Sequence, residues 1–321
     1  MDLIYMNALK EDVGIIREYD FDLAFGADEN DFTCTIDSNK HCCDAGYGLY
    51  IEDTEYGGII GGIGVKTDSG EIVYSGKTWH GILNSKVLEP NNGEDYLIVS
   101  GDANEVLAML IVRMGLSDLF RASDEASGIE IVSYKMNRYI KGYDGIRKML
   151  KSVAAKLVIS FRGGFVTLSV QPLIDYSKEE EVDSDLAPLD IHKEFKKVNH
   201  LICLGKGELS ERTVIHLYSD SEGNIGHVQS LTGIEEVSEV YDYSAAESDE
   251  DLENRGIEQM EKLRATDTIK QNFNSDAESY DIGDIVGAAE KITGISVASE
   301  ITKKIVTIKS GITNISYKVG D

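Results

Sequence analysis

The stretch Tyr56–Pro90 constrains the fold more than any other part of the chain. Two runs, Ile59–Thr67 and Glu71–Thr78, are rich in β-branched and aromatic residues. Between them Asp68-Ser69-Gly70 supplies the turn chemistry that reverses an antiparallel pair, so the stretch is predicted to be a hairpin that finishes a small barrel. Pro90 ends the pattern. After Trp79, the run Gly81, Ile82, Leu83, Lys86, Val87, Leu88 fits either a helical turn or a further strand, and periodicity alone leaves both open.

The residues before the hairpin extend the same sheet. Leu3, Tyr5 and Leu9, then Val13–Tyr19, read as a first hairpin at strand period. Tyr19–Phe25 and Phe32–Ile36 alternate apolar and polar residues across the polar turn Gly26–Asp31, and Leu49-Tyr50-Ile51 continues. Six or seven strands with such turn spacing curl into a barrel or sandwich.

Beyond Pro90 the period changes, which marks a domain boundary. Asp102-Ala103-Asn104-Glu105 resembles a capping box, followed by Val106, Met109, Leu110 and Arg113 at helical spacing up to Gly115. A strand is expected at Ile129–Tyr134, then a helix capped by Asp144 with Ile146, Met149, Leu150 and Val153 on one face. Leu157–Arg162 and Phe165–Val170 make a hairpin around Gly163-Gly164. The acidic run Asp175–Asp190, with Pro172 and Pro188 nearby, reads as a linker. Strands return at Val198–Leu204 and Arg212–Tyr218, and Ser244–Ala265 reads as one helix capped by Ser248. Four short strands are expected at Ile282–Gly287, Ile292–Ser299, Lys304–Ser310 and Ile312–Lys318.

The fold class expected is therefore α+β, mainly β, with two small β-barrels per chain. Residues 1–90 form the first barrel, 91–190 an α+β domain ending in the acidic linker, and 191–321 the second barrel with a helical insertion at about 235–272.

Charge narrows the partners. With 31 Lys plus Arg against 57 Asp plus Glu, the net charge is −26, and such a field repels nucleic acid phosphates. The densest basic run, His192–Lys197, reads as a solvated strand edge or partner contact. Four cysteines without regular spacing make no disulfide framework, and no run reaches the roughly 18 apolar residues of a membrane span, so a soluble chain kept in a reducing cytoplasm is expected.

Chemistry is sparse. Cys34 with His41, Cys42 and Cys43 is the one metal-like group, since thiolates and imidazole suit zinc or iron. Neighbouring Cys42 and Cys43 point opposite ways in extended chain, so small buried hydrophobes are the better reading, and no metal is expected. Gly57-Gly58 and Gly61-Gly62-Ile63-Gly64 lack the following helix and Lys-Ser or Lys-Thr of a phosphate loop. Gly294–Ala298 lacks the strand-to-helix setting of a nucleophile elbow. The six histidines hold no His-Glu-x-x-His pair, and carboxylate pairs such as Glu52-Asp53 are common only because acids are. No catalytic residue and no cofactor are expected, and a structural part is favoured over an enzyme.

Certain strings carry a resemblance: Tyr19-Asp20-Phe21, Asn30-Asp31-Phe32, Gly48–Ile51, Tyr56–Ile60 and Gly76–Leu83. Together they resemble the opening of tail-associated baseplate hub proteins of siphophages and prophages, a family similar to the hubs of contractile tails and of type VI secretion spikes. Over the first 110 or so residues the likeness lies in motifs, and beyond them in the order of elements. It implies a homotrimer whose two barrels per chain make a pseudo-sixfold ring. That ring joins the distal-tail protein and tail tube, with its tape-measure protein, to a tip or receptor-binding protein, and DNA passes its lumen without specific binding. The location implied is the virion tail, assembled in the host cytoplasm. Tyr56, Gly57 and Gly58 are expected partner contacts, and Asp175–Asp185 a linker surface. A carbohydrate-binding module at the tail tip, which needs an exposed aromatic platform, and a cell-wall hydrolase are the other function classes.

Overall fold

The first strands pair as their alternation requires. In the computed structural model, which describes residues 1–178, 181–183, 190–265, 268–270, 280–290 and 292–320, β1 (Leu3–Met6) and β2 (Asp12–Ile16) form an antiparallel hairpin. They are followed by β3 (Asp20–Gly26), β4 (Asp31–Asp37), β5 (Gly48–Tyr50), β6 (Gly57–Lys66) and β7 (Glu71–Thr78). The ambiguous run after Trp79 divides: helix α1 (Trp79–Asn84), capped by the Thr78 side chain on the Gly81 N–H, takes its first part, and Val87–Leu88 is a short strand. Thr78 ends a strand and caps a helix at once, which no periodicity shows.

Next come β8 (Val87–Leu88), β9 (Ile98–Asp102), α2 (Ala103–Arg113), β10 (Phe120–Ala122), β11 (Glu130–Lys135), β12 (Ile140–Lys141), α3 (Gly142–Lys151), β13 (Ala155–Arg162) and β14 (Phe165–Pro172). Asp102 caps α2 as expected. Asp144 does not cap α3: it lies in the first turn, and Lys141 holds the N-cap position without a side-chain bond, because β12 runs straight into the helix. The β13–β14 hairpin turns on Gly163 and Gly164, both at positive φ, 59° and 81°, a region glycine enters without steric cost.

The remaining elements are β15 (Glu181–Asp183), β16 (Asp190–His192), β17 (His200–Leu204), β18 (Val214–Ser219), β19 (Ile225–Gly226), β20 (Ser238–Asp242), α4 (Asp249–Arg264), β21 (Thr268–Lys270), β22 (Ile285–Glu290), β23 (Ile295–Lys309) and β24 (Ile312–Val319). Ser248 caps α4, with Asp249, Glu250 and Asp251 in its first turn, where carboxylates oppose the positive end of the helix dipole. The expected strands Ile292–Ser299 and Lys304–Ser310 are one strand, β23. The polar stretch that imitates a turn, Glu300–Lys304, includes two buried lysines and a register shift between Ile301 and Lys303.

The protein is mainly β, 43% strand and 19% helix, and the strands of the described residues form no closed barrel. The described residues group into two units that divide the chain differently from the expected three domains. Residues 1–181, 271–286 and 300–319 make one, and 182–270 with 287–299 the other.

In the first unit the strand order is β24-β23-β3-β4-β7-β6-β5-β1-β2. Residues 303–309 of β23 pair antiparallel with β3, so the chain's last strands close the sheet its first strands began. One sheet face buries Leu3, Phe21, Phe25, Phe32, Leu49, Ile60, Tyr74, Val306 and Ile308. A second core contains Met6, Tyr50, Trp79, Leu107, Leu110, Ile146, Met149 and Phe161. It draws on residues from both sides of Pro90: Tyr50 and Trp79 pack on Phe161 at centroid distances of 3.9 and 5.5 Å.

In the second unit β19-β18-β17-β20 form a sheet whose Leu201, Cys203 and Leu217 bury against Leu252 and Met260 of α4. Half of the linker expected at Asp175–Asp190, residues 179–180 and 184–189, lies outside the described residues.

Candidate functional site

The cysteine and histidine group is held by a tyrosine. The Tyr74 hydroxyl, on β7, accepts the backbone N–H of Cys42 (3.1 Å) and of Cys43 (3.3 Å) and lies 2.9 Å from His41 Nδ1. Burial pushes the Cys34 thiol up to about 12, and burial with the neighbouring Cys42 also raises that of Cys43. A metal ligand must be thiolate, so these groups sit as neutral, largely buried thiols. Among the described residues no three His, Cys, Asp or Glu side chains are arranged to hold a metal ion.

The expected contact residues lie inside the fold. Tyr56 is 8% exposed and packs in the sheet core, while Gly57 and Gly58 are buried. A Cβ on Gly58 would stand 2.2 Å from the Lys77 carbonyl oxygen, and one on Gly57 2.8 Å from the Trp79 ring. These glycines allow close backbone and ring approach, and present no surface on the chain. Asp175 accepts from Ser177 and pairs with Lys178 at 2.9 Å. Trp79 is fully buried, so it offers no sugar platform.

The sequence reading missed a buried ionic framework in the first unit. Lys304 Nζ of β23 lies 2.7 Å from Glu55 Oε1, and His80 Nε2 of α1 lies 3.5 Å from Glu55 Oε2. Phe25 stacks on His80 at 4.6 Å and Tyr143 meets it edge-on at 5.1 Å. Nearby, Lys156 of β13 contacts Asp284 and Asp281 at 2.8 Å each. Asp284, 0% exposed, also accepts the N–H groups of Ile174 and Asp281.

Burial pushes the His80 imidazole down to about 3, with the charges of Lys304 and Arg147 adding to it, so the ring is neutral. Burial opposes ionisation of Lys156, yet its hydrogen bonds to Asp281 and Asp284 hold its pKa above the ordinary value. Lys304 is likewise held charged beside Glu55 against the cost of burial. Such paired ions fix geometry: Lys304 ties β23 to Glu55, whose other oxygen faces His80 of α1, and Lys156 ties β13 to Asp281 and Asp284. The one signal in sequence was Lys303-Lys304 within an otherwise strand-like run.

The second unit carries a histidine cluster with a superficial likeness to a catalytic triad. His200 Nδ1 lies 2.6 Å from Glu236 Oε1 and 3.1 Å from Ser238 Oγ, while His200 Nε2 faces His216 Nδ1 at 2.8 Å. A triad needs the acid on one ring nitrogen and the nucleophile on the other. Here acid and hydroxyl share Nδ1, and the far nitrogen is taken by His216, so the ring cannot pass a proton from serine.

No protein-family model matches the chain, and no curated protein matches it in sequence. Solved structures do match in fold. A tail protein from Neisseria meningitidis is 12% identical with a TM-score of 0.56, covering 100% of this chain and 96% of its own. A prophage tail protein from Listeria monocytogenes is 12% identical, TM-score 0.55, covering 100% and 94%. The 43 kDa tail protein of a Shewanella oneidensis prophage is 8% identical, TM-score 0.57, covering 99% and 97%. The fold of this chain is the fold of these tail proteins, from one end to the other.

Proposed function

We propose that the chain is a structural hub subunit at the baseplate or tip of a phage or prophage tail. It acts as a homotrimer whose ring joins the distal-tail ring and tail tube above to a tip or receptor-binding protein below. The end-to-end fold correspondence with three tail proteins carries this reading. In the ring, the long sheet of the first unit and the smaller sheet of the second serve as the two barrel-like walls per chain that a pseudo-sixfold ring needs. The acidic composition, a net charge of −26, suits a lumen through which DNA slides without adhering, since like charges repel phosphates. The role is mechanical, without an active site, and the buried ion pairs support it as fixed struts.

Light scattering coupled to size exclusion tests the reading. One chain is 35.3 kDa; a trimer of three times that mass is expected. A dimer at all concentrations contradicts the ring, because two copies do not close a threefold symmetry.

A further inference from the structure

Two of the four cysteines meet side by side. Cys42 Sγ lies 3.6 Å from Cys43 Sγ, although neighbouring side chains of an extended chain point to opposite faces. The Tyr74 hydroxyl is the reason. It accepts the N–H groups of both residues, at 3.1 and 3.3 Å, and two successive N–H groups converge on one oxygen only where the backbone is turned. With both lone pairs taken, its own proton is left for His41 Nδ1 at 2.9 Å. The turn therefore rests on a buried and fully used hydroxyl, and it brings the two thiols together.

The two thiols differ in access. Cys42 is half-buried, and Cys43 is buried within the sheet core. Burial and the neighbouring Cys42 hold the Cys43 thiol above its ordinary pKa, so it is a poor nucleophile towards reagents from solvent. A small disulfide therefore reaches Cys42 first. Once Cys42 carries a mixed disulfide, Cys43 already stands beside the sulfur it must attack, and bonding needs an approach of roughly 1.5 Å to about 2.05 Å. Cys34 and Cys203 are buried and free.

We infer that Cys42 and Cys43 are a reversible redox pair, closed into a vicinal disulfide by a low-molecular-weight disulfide of the glutathione kind. The Cys42 thiolate attacks one sulfur of the oxidant, whose S–S bond breaks and releases one thiol. Cys43 then gives its proton to solvent, attacks Cys42 Sγ and expels the second thiol. The protein loses two hydrogens and the oxidant becomes two thiols. The new bond is strained, because adjacent Cα atoms stand about 3.8 Å apart across a trans peptide, whereas disulfides ordinarily span roughly 4.4–6.8 Å. Strained bonds are readily reduced, so the pair stays open in a reducing cytoplasm and closes as oxidised glutathione comes to dominate. Closing turns the peptide whose N–H, that of Cys43, bonds Tyr74, so oxidation acts on the link between this loop and β7. On the tail proposed above, the open and closed forms would separate assembly in the host from the released particle; the chemistry itself does not rest on that reading.

Mass spectrometry of the full chain tests it. Native protein is equilibrated with an excess of oxidised glutathione, quenched in acid, and alkylated with a maleimide in denaturant. Trypsin releases both cysteines in one peptide, His41–Lys66. That peptide is expected to be unalkylated and about 2 Da lighter than its dithiol form, while Cys34 and Cys203 are alkylated; after dithiothreitol all four cysteines should alkylate. Cys43→Ser should stop one glutathione heavier at Cys42, and Cys42→Ser should take up no glutathione and lose no thiol. Wild type that keeps four alkylatable thiols, or that holds glutathione on Cys42 without closing, overturns the pair. A bond to Cys34, or between two chains, overturns it equally. The wild type alone decides, so a variant that fails to fold removes a control and not the test. Solution mass is read separately, and a failed pair leaves the hub reading in place.

Discussion

Acidifying the protein from about pH 7 to about pH 5 should remove stability through His80. The ring is 2% exposed, stacked on Phe25, and its pKa is pushed down to about 3 by burial and by Lys304 and Arg147. Folding thus depresses a base. Its contribution is fully present above the unfolded value of 6.5 and is lost as pH falls from there towards about 3. One pKa unit corresponds to about 1.4 kcal/mol, so between about pH 7 and pH 5, where the unfolded ring gains most of a proton that the folded ring does not, about 2 kcal/mol should disappear. Urea unfolding at the two pH values measures this, and His80→Phe, which keeps a ring against Phe25 and cannot titrate, supplies the comparison. The wild type should lose about 2 kcal/mol more than the variant over the window. If the two lose equal amounts, His80 does not sit neutral and buried in the folded state. Should the variant fail to fold, the His80 ring resonances serve instead: they should not move between about pH 7 and 5, and a midpoint near the ordinary histidine value sinks the reasoning.

Lys156→Met should cost about 3–5 kcal/mol in chemical unfolding, because it strands the fully buried Asp284 carboxylate without its cation. Its raised pKa also implies that its stabilisation is complete below the unfolded value of 10.5 and is lost as pH rises through the folded one, so a Lys156→Met/Asp284→Asn double variant should lose less stability than the wild type when urea unfolding is followed as the pH rises past 10.5. Asp102→Ala should cost about 1–2 kcal/mol; the carboxylate caps α2 on Asn104 and holds the N–H groups of Ser127 and Gly128, and thermal unfolding reads the loss. Gly58→Ala should cost about 1–3 kcal/mol by overpacking, since its Cβ meets the Lys77 carbonyl at 2.2 Å, while Gly61→Ala, with nothing within 4 Å, should leave the melting midpoint almost unchanged.

Local pattern made much of this fold legible. The hairpins β1–β2, β6–β7 and β13–β14, and the caps Asp102 and Ser248, follow from alternation, turn residues and side-chain oxygens that act within a few positions. The turn imagined between two halves of β23 failed because Lys303 and Lys304 look solvent-bound in sequence, whereas their partners, Glu29 and Glu55, stand far away along the chain. Tyr56, Gly57 and Gly58 attracted notice for their composition, but it is Trp79 and Lys77 packed against them that make the glycines necessary.

By itself the sequence determined the β-rich class, the placement of most strands and helix starts, and the absence of a cofactor fingerprint, because each depends on residues close in the chain. Only the tertiary structure decided that β23 completes the first sheet and that the buried Lys304 and Lys156 meet Glu55 and Asp284. Those outcomes depend on which distant segments meet, and the free energy of burying a charge or pairing an edge is set by the partner that arrives, not by the residue that waits for it.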